Sequence, residues 1–282
     1  MENILITGAT GSVGSAVLDH FKPSDQQRLY QGTRHRDELS PDHLYFDLND
    51  LPDTIASLSL VDTLFLLRPP QIADEKIFRV LLRGAKEFDV KHVIFLSVQG
   101  AESNSFVPHA KIEKLIRDSG VPYTFIRPSY FTDNLITVFG DDIRERDRIY
   151  IPAGNAKFLW VDVSDIGKAI ATVLTDVRAH VNQAYTITGS RSGLMTFSEV
   201  ASVLSEELQR DIEYISPNPI SFFITKKKEG LDAAFIGIML ALHYAARFQK
   251  PPVVHRDLEH LIGGPPNTLR DFVQANLEVW QK

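Results

Sequence analysis

An α/β fold built on a doubly wound parallel sheet is what this sequence predicts, and three observations predict it. Strand-like and helix-like patterns alternate through the first 130 residues. The strand-like stretches are short apolar runs, the composition of strands buried on both faces. The first of them runs straight into a Gly-x-x-Gly-x-x-Gly turn, Gly8 to Gly14, with a helical pattern directly behind it. Such alternation implies right-handed crossovers, with ligand sites at the carboxyl ends of the strands.

The opening strand is expected over 3–7. The turn after it carries the chemistry. Glycine lacks a Cβ, permits positive φ and lets phosphate oxygens approach the backbone. The helix expected over 12–21 points its first N–H groups and the positive end of its dipole at such phosphates. Gly14, near the helix start, lets helix and strand pack closely. Gly8, Thr10, Gly11, Ser12, Val13 and Gly14 are therefore candidate residues for holding a dinucleotide pyrophosphate in a Rossmann unit. A glycine-rich turn without a ligand is the alternative.

Further strands are expected over 28–33, 43–46, 62–67, 92–97 and 122–127. Helices are expected over 72–88 and 106–119, with a short one over 51–58. The second strand ends at Gly32-Thr33-Arg34-His35-Arg36, about twenty residues past Gly14, where an NAD site usually places an acid. Arg34 instead suits a 2′-phosphate, which a guanidinium binds bidentately and a carboxylate repels. NADP(H) is thus the preferred cofactor and NAD(H) the alternative, unless these charges are merely solvated. Asp47, at the end of the next strand, either faces the adenine or caps a loop.

After residue 130 the pattern changes. A helix is expected over 131–146, a strand over 158–161, a helix over 163–175 and a strand over 184–188. From Thr196 the chain reads as mainly helical, broken by a strand over 212–215, with a last helix over 268–280. The expected division is a dinucleotide-binding domain over 1–190, with 131–155 contributing to a substrate cleft. A small, mostly helical C-terminal substrate lobe follows over 191–282.

Composition narrows the function classes. The chain has 282 residues, and 30 Lys and Arg against 36 Asp and Glu give a net charge of −6. The longest basic run, Lys226-Lys227-Lys228, reads as a helix end, and no nucleic-acid partner is expected. There is no cysteine, which rules out disulfides and thiolate metal sites and suits a reducing cytoplasm. No metal is expected either, since no His-x-x-x-His or comparable cluster stands out. The apolar run Phe235 to Leu242 is too short to span a bilayer. It reads as a buried helix or a pocket wall, and no membrane partner is expected. A monomer or homodimer is expected.

Several segments together resemble one known group. They are Gly8 to Gly14, Val90-Lys-His-Val-Ile-Phe-Leu-Ser97, His109-Ala-Lys-Ile-Glu113 through Gly120-Val-Pro-Tyr123, Ile126 to Asn134, and Trp160 to Gly167. The chain is similar to the atypical short-chain dehydrogenase/reductases of the NmrA-like kind. That group holds quinone reductases, triphenylmethane-dye reductases, isoflavone-reductase-like enzymes and redox-sensing regulators. None of the eight tyrosines has a lysine four residues on, so the Tyr-x-x-x-Lys pair of ordinary short-chain dehydrogenases is missing, as in that group. The resemblance implies that His109 stands where isoflavone-reductase-like relatives place a proton-handling lysine. The other reading of His109 is a contact to the nicotinamide ribose or the loop. The resemblance also implies that Leu67-Arg68-Pro69 runs against the nicotinamide-side ribose. Arg68 alternatively forms a surface ion pair.

Other residues are expected around the same cleft. Ser97, ending the fifth strand, either binds a substrate carbonyl or caps the next turn. Pro128 to Phe131 follows the sixth strand and is expected beside the nicotinamide. Tyr130 and Phe131 offer flat faces to an aromatic substrate, and Asn134 joins them on the substrate side. Phe222, Phe223, Phe235, Met239 and His243 either roof the cleft or serve only to pack. The resulting expectation is an NADP(H)-dependent oxidoreductase that transfers hydride to a small, aromatic or quinone-like acceptor. A non-catalytic NADP(H)-binding redox sensor of the NmrA type is the alternative.

Overall fold

The computed structural model describes residues 1–72 and 74–281. Residue 73, inside the helix expected over 72–88, and residue 282 lie outside the described residues. In chain order the first half contains β1 (Glu2–Ile6), α1 (Ser12–His20), β2 (Gln27–Thr33), β3 (His43–Tyr45), α2 (Leu51–Ser57), β4 (Thr63–Leu67), α3 (Glu75–Glu87), β5 (His92–Leu96), α4 (Pro108–Ser119) and β6 (Tyr123–Pro128). Next come β7 (Tyr130–Phe131), α5 (Asn134–Thr137), α6 (Gly140–Arg146), β8 (Arg148–Tyr150), β9 (Lys157–Val161), α7 (Val163–Thr175) and β10 (Gln183–Ile187). The remainder is β11 (Leu194–Thr196), α8 (Phe197–Leu208), β12 (Glu213–Ile215), α9 (Pro219–Lys228), α10 (Ala233–Ala246), α11 (Asp257–Ile262) and α12 (Leu269–Ala275).

Seven strands form one sheet in the order β10-β6-β5-β4-β1-β2-β3, and every pairing in it is parallel. This is the doubly wound arrangement that the alternation implies. The order reverses beside β1, between β2 on one side and β4 on the other, so the ligand end of the sheet centres on residues 7 and 67. Leu5, Leu64, Leu66, Val93, Phe95 and Phe125 are fully buried, each contributing about 1.5–3 kcal/mol of apolar transfer.

The chain falls into two units. One comprises residues 1–129, 163–187 and 256–264, and the other 130–162, 188–255 and 265–282. The expected division followed the chain at residue 190, whereas the units interleave. α7 and β10 belong with the sheet because α7 packs on α1 and β10 pairs with β6. α11 joins them, since Thr172 Oγ1 donates to the Leu261 carbonyl at 3.0 Å and Asp257 accepts from the Thr186 amide at 2.7 Å.

The second unit departs further from expectation. Residues 131–146 do not form one helix. Tyr130 and Phe131 pair in parallel with β9, and Thr132 N–H donates to the Val161 carbonyl at 3.0 Å. Two short helices follow, separated where Phe139 enters an aromatic cluster with Phe197 at 5.4 Å. β8 pairs with β12, and β11 pairs antiparallel with β9. These partners are far apart in sequence, and strands of two or three residues carry no readable period. α8 begins where expected, at Thr196, through a reciprocal cap with Glu199.

One buried polar group in the sheet has a measurable consequence. His92 Nε2 lies 2.8 Å from Thr124 Oγ1, whose proton goes to the His180 carbonyl at 2.7 Å. The ring therefore donates from Nε2, and burial, aided by His180, pushes its pKa down to about 4. As pH falls through the ordinary histidine range the unfolded chain takes a proton that the native ring refuses. Stability is then lost from about pH 6.5 down to about 4, by on the order of 3 kcal/mol for this residue. Urea transitions followed by far-UV circular dichroism across that window will show the loss, and His92→Gln will make it shallower, the buried His109 and His243 supplying the remainder. An unchanged slope in His92→Gln would place the pH dependence elsewhere.

Candidate functional site

The turn after β1 is closed by its glycines. Gly8 sits at φ +62°, and a Cβ there would lie 2.5 Å from the Leu67 side chain. A Cβ on Gly14 would lie 2.1 Å from the Gly8 carbonyl oxygen. Only glycine permits both the left-handed backbone and this close approach. Gly11 N–H donates to the Gly8 carbonyl at 2.9 Å and Gly11 is the N-cap of α1, to which no side chain contributes a cap. A glycine N-cap brings no side chain of its own to the first turn, and the positive end of the helix dipole there favours an anion. Thr10, Gly11 and Ser12 are exposed along this mouth, with Val13 and Gly14 buried behind it. Thr7, which sequence reasoning did not single out, ties the turn to β4. Its Oγ1 donates to the Phe65 carbonyl at 2.9 Å and accepts from Leu67 N–H at 3.3 Å.

At the end of β2 the basic triplet divides. Arg36 is paired with Asp50 and Asp53 and lies over the Tyr45 ring at 4.1 Å. Arg34 is exposed and makes no side-chain hydrogen bond or ion pair among the described residues. Thr33 Oγ1 holds the corner by donating to Glu38 at 2.9 Å and accepting from His35 N–H at 3.1 Å. Asp47 uses Oδ1 to accept from the backbone and side-chain nitrogens of Asn49, at 2.9 and 3.0 Å. These bonds suit a loop cap.

The ends of β4, β5 and β6 carry the buried polar groups. Glu113 on α4 is 1% exposed. It accepts from Ser97 Oγ at 2.6 Å, from Arg127 Nε and Nη2 at 2.8 and 2.7 Å, and from Arg117 Nη2 at 2.9 Å. Burial opposes its charge, yet the bonds from Arg127 and Ser97 and the two guanidinium charges hold its carboxyl below the usual range. The Ser97 proton is committed to this carboxylate, so Ser97 has none to give a substrate carbonyl and only accepts. Arg127 was the unread member. A cation inside the strand run Phe125-Ile126-Arg127-Pro128 was the available signal, since a buried cation requires a partner.

His109 lies in the first turn of α4, with its ring 6.0 Å from that of Phe95. Burial, and then the Arg68 guanidinium, push its imidazole down to about 4 against the opposing pull of Glu113. It is neutral at physiological pH. Arg68, beyond β4, has Nη2 on the Pro70 carbonyl at 3.2 Å while its buried Nε has no partner. Pro69 closes that loop by accepting from Ile72 N–H at 3.0 Å. Pro128, ending β6, accepts from Gln99 N–H at 2.9 Å, and the buried Ser129 Oγ beside it is unpartnered. Two orphaned polar groups therefore stand at the ligand end of the sheet.

Tyr130, Phe131 and Asn134 belong to the second unit. His243 Nδ1 lies 2.7 Å from the Met239 carbonyl, so it carries the proton. Nε2, 2.7 Å from the Tyr130 hydroxyl, then accepts. Burial pushes His243 down to about 4 and the Tyr130 phenol up. Neither group exchanges protons near neutrality. The Tyr130 ring packs edge-on to Trp160 at 4.7 Å, Phe131 is half-buried in β7, and Asn134 opens α5. Phe222, Met239 and His243 are core residues of this unit, whereas Phe223 and Phe235 are exposed. α10 is accordingly only partly buried, unlike the buried helix or pocket wall expected for Phe235 to Leu242.

Comparison with known proteins places these features in context. The model of the NmrA-like family matches residues 44–238. An NAD(P)H azoreductase of Xenophilus azovorans is 30% identical, over 97% of this chain and 97% of its own length. The triphenylmethane reductase of Citrobacter sp., solved with NADP(H), superposes with a TM-score of 0.83 at 23% identity, covering 98% of this chain and 99% of that one. The NADPH-dependent quinone oxidoreductase QOR2 of Escherichia coli, solved with NADPH, gives 0.84 at 22%, covering 97% and 99%.

Three substitutions test the geometry. Gly14→Ala drives a methyl into the Gly8 carbonyl, and dinucleotide binding measured by calorimetry should fall by at least about tenfold. Glu113→Gln leaves two guanidinium groups on a neutral amide and should cost about 3 kcal/mol in denaturant unfolding, against about 1 for Ser97→Ala. Equal losses for the two would refute the central place of the carboxylate.

Proposed function

The chain belongs to the NmrA-like family, and from that premise we propose that it is an NADP(H)-dependent oxidoreductase passing hydride to a small aromatic or quinone-like acceptor. The glycine turn carries this reading: a left-handed Gly8, a Gly14 with no room for a Cβ, and a helix whose N-cap is Gly11, all at the reversal point of the sheet. A pyrophosphate held by backbone amides fits that arrangement. Gly8, Thr10, Gly11, Ser12, Val13 and Gly14 form the cradle. Arg34 takes the 2′-phosphate, for which its uncommitted guanidinium is suited. Arg68 Nε and Ser129 Oγ, buried and unpartnered, fit polar groups of the nicotinamide half, with Leu67 and Pro69 shaping the wall.

When bound, the nicotinamide supplies two electrons as a hydride from its C4. Ser97 presents an acceptor, and neutral His109 offers a hydrogen bond rather than a proton. A quinone suits such a site, since it takes hydride with little acid catalysis and the resulting hydroquinone anion draws its single proton from water. The azo and triphenylmethane substrates of the relatives are likewise extended, conjugated acceptors. Absence of cysteine accords with a reducing cytoplasm as the place of action.

The reading is tested by following NADPH absorbance with quinone, azo-dye and triphenylmethane-dye acceptors. Turnover is the expected result. Tight NADPH binding without turnover on any acceptor would favour the sensor alternative, and absence of binding would defeat both. Arg34→Ala should raise the KM for NADPH by about tenfold or more while leaving NADH little changed. The pH profile of kcat should show no limb near 6.5 from His109. A limb there that vanishes in His109→Asn would make that imidazole a proton donor.

A further inference from the structure

α9 and α10 pack against one another in the second unit. α10 contains no Asp, Glu, Lys or Arg over its whole length, and its fully buried residues are Ile236, Met239 and His243. A helix apolar on all sides belongs in an interior or at a lipid boundary. Here Phe235, Ile238 and Leu242 remain 42%, 56% and 53% exposed. α9 repeats the theme. Ile220, Phe223 and Ile224 are exposed, and the same helical face ends in exposed Lys227 and Lys228 at positions i+7 and i+8. These six apolar side chains leave on the order of 600 Å² in water, the upper end of what a monomer carries without function.

The charge around the pair opposes that of the rest of the chain. Residues 219–250 hold five cations and two carboxylates, in a protein of net charge −6. Lys226 turns inward onto Asp142 and Glu229. Lys227 and Lys228 stay exposed before α10, and Arg247 and Lys250 stay exposed after it. At that second end a cleft of about 410 Å³ adds Lys157 beside Arg247, with Asn155 and Gln249 on its wall. The apolar face is thus bracketed by cations at both ends. A second copy fits this poorly, because two-fold pairing along α10 brings cationic ends together whether the helices run parallel or antiparallel. An anionic phospholipid surface meets both features at once.

We propose that the α9–α10 face docks onto anionic phospholipid bilayers. Phe223, Phe235, Ile238 and Leu242 enter the boundary between headgroups and acyl chains. Lys227, Lys228, Arg247 and Lys250 extend to the phosphates, and the cleft between Lys157 and Arg247 receives one headgroup. The docking lies along the surface and needs no spanning segment, and no helix among the described residues is long and apolar enough to cross a membrane. The expectation of no membrane partner rested on that length alone. This surface stands apart from the reductase reading and is tested without cofactor.

The test is co-sedimentation of the full chain with vesicles of phosphatidylglycerol and phosphatidylcholine, against phosphatidylcholine alone. Binding should rise with the anionic fraction and fall with salt. It should drop by about tenfold or more in Lys227→Glu combined with Lys228→Glu, which alters only exposed side chains. Phe235→Trp should shift its emission to the blue on anionic vesicles, a direct report of insertion. The proposal is overturned if wild type stays in the supernatant at every anionic fraction, or binds neutral vesicles equally well. It is also overturned if sedimentation equilibrium shows a dimer that Leu242→Ser dissolves, since the face is then covered by a second copy.

Discussion

The close approach of α1 to the Gly8 carbonyl is the constraint on which the functional end of this protein depends. A single methyl at residue 14 would occupy the space of that carbonyl. Because the helix starts so tightly against the turn, its first amides converge where β1 ends. Thr7 locks the same point to β4, so the turn is braced by the sheet and does not depend on a ligand for its shape. Preorganisation of this kind lowers the ordering cost of binding.

Beside that turn, the polar chemistry is arranged to hold protons still. Glu113 gathers three donor side chains and stays ionised, and it takes the Ser97 proton out of play. Burial, helped by Arg68, keeps His109 neutral. In the other unit, Tyr130 and His243 satisfy each other in apolar surroundings. No pair here reproduces the Tyr-x-x-x-Lys acid. A site that positions acceptors and supplies few protons favours conjugated molecules able to accept hydride without prior protonation, and this agrees with the activities of the azo, quinone and dye reductases that the chain resembles.

The two units follow different structural rules. In the first, consecutive strands and helices build long parallel pairings, so order along the chain maps onto order in the sheet. In the second, strands of two to five residues bring together partners from residues 130, 148, 157, 194 and 213, and aromatic rings hold them. The chain passes between the units five times. Long-range pairing of short strands depends on burial that no local stretch can supply.

What could be determined from the sequence by itself is what local physics encodes. Apolar runs of strand length sufficed for the doubly wound sheet, and the spacing of Gly8, Gly11 and Gly14 for the tight turn between β1 and α1. These signals are confined to neighbouring residues, so folding adds little to them. Tertiary structure decided the rest. It split the basic triplet into a paired Arg36 and an uncommitted Arg34, bonded Asp47 to Asn49, and gave Glu113 its partners from α4, β6 and the residue after β5. It also broke the helix expected over 131–146 and left half of α10 in water. Each of these outcomes rests on which distant groups share one buried or exposed region, and that proximity has no periodic trace in a linear chain.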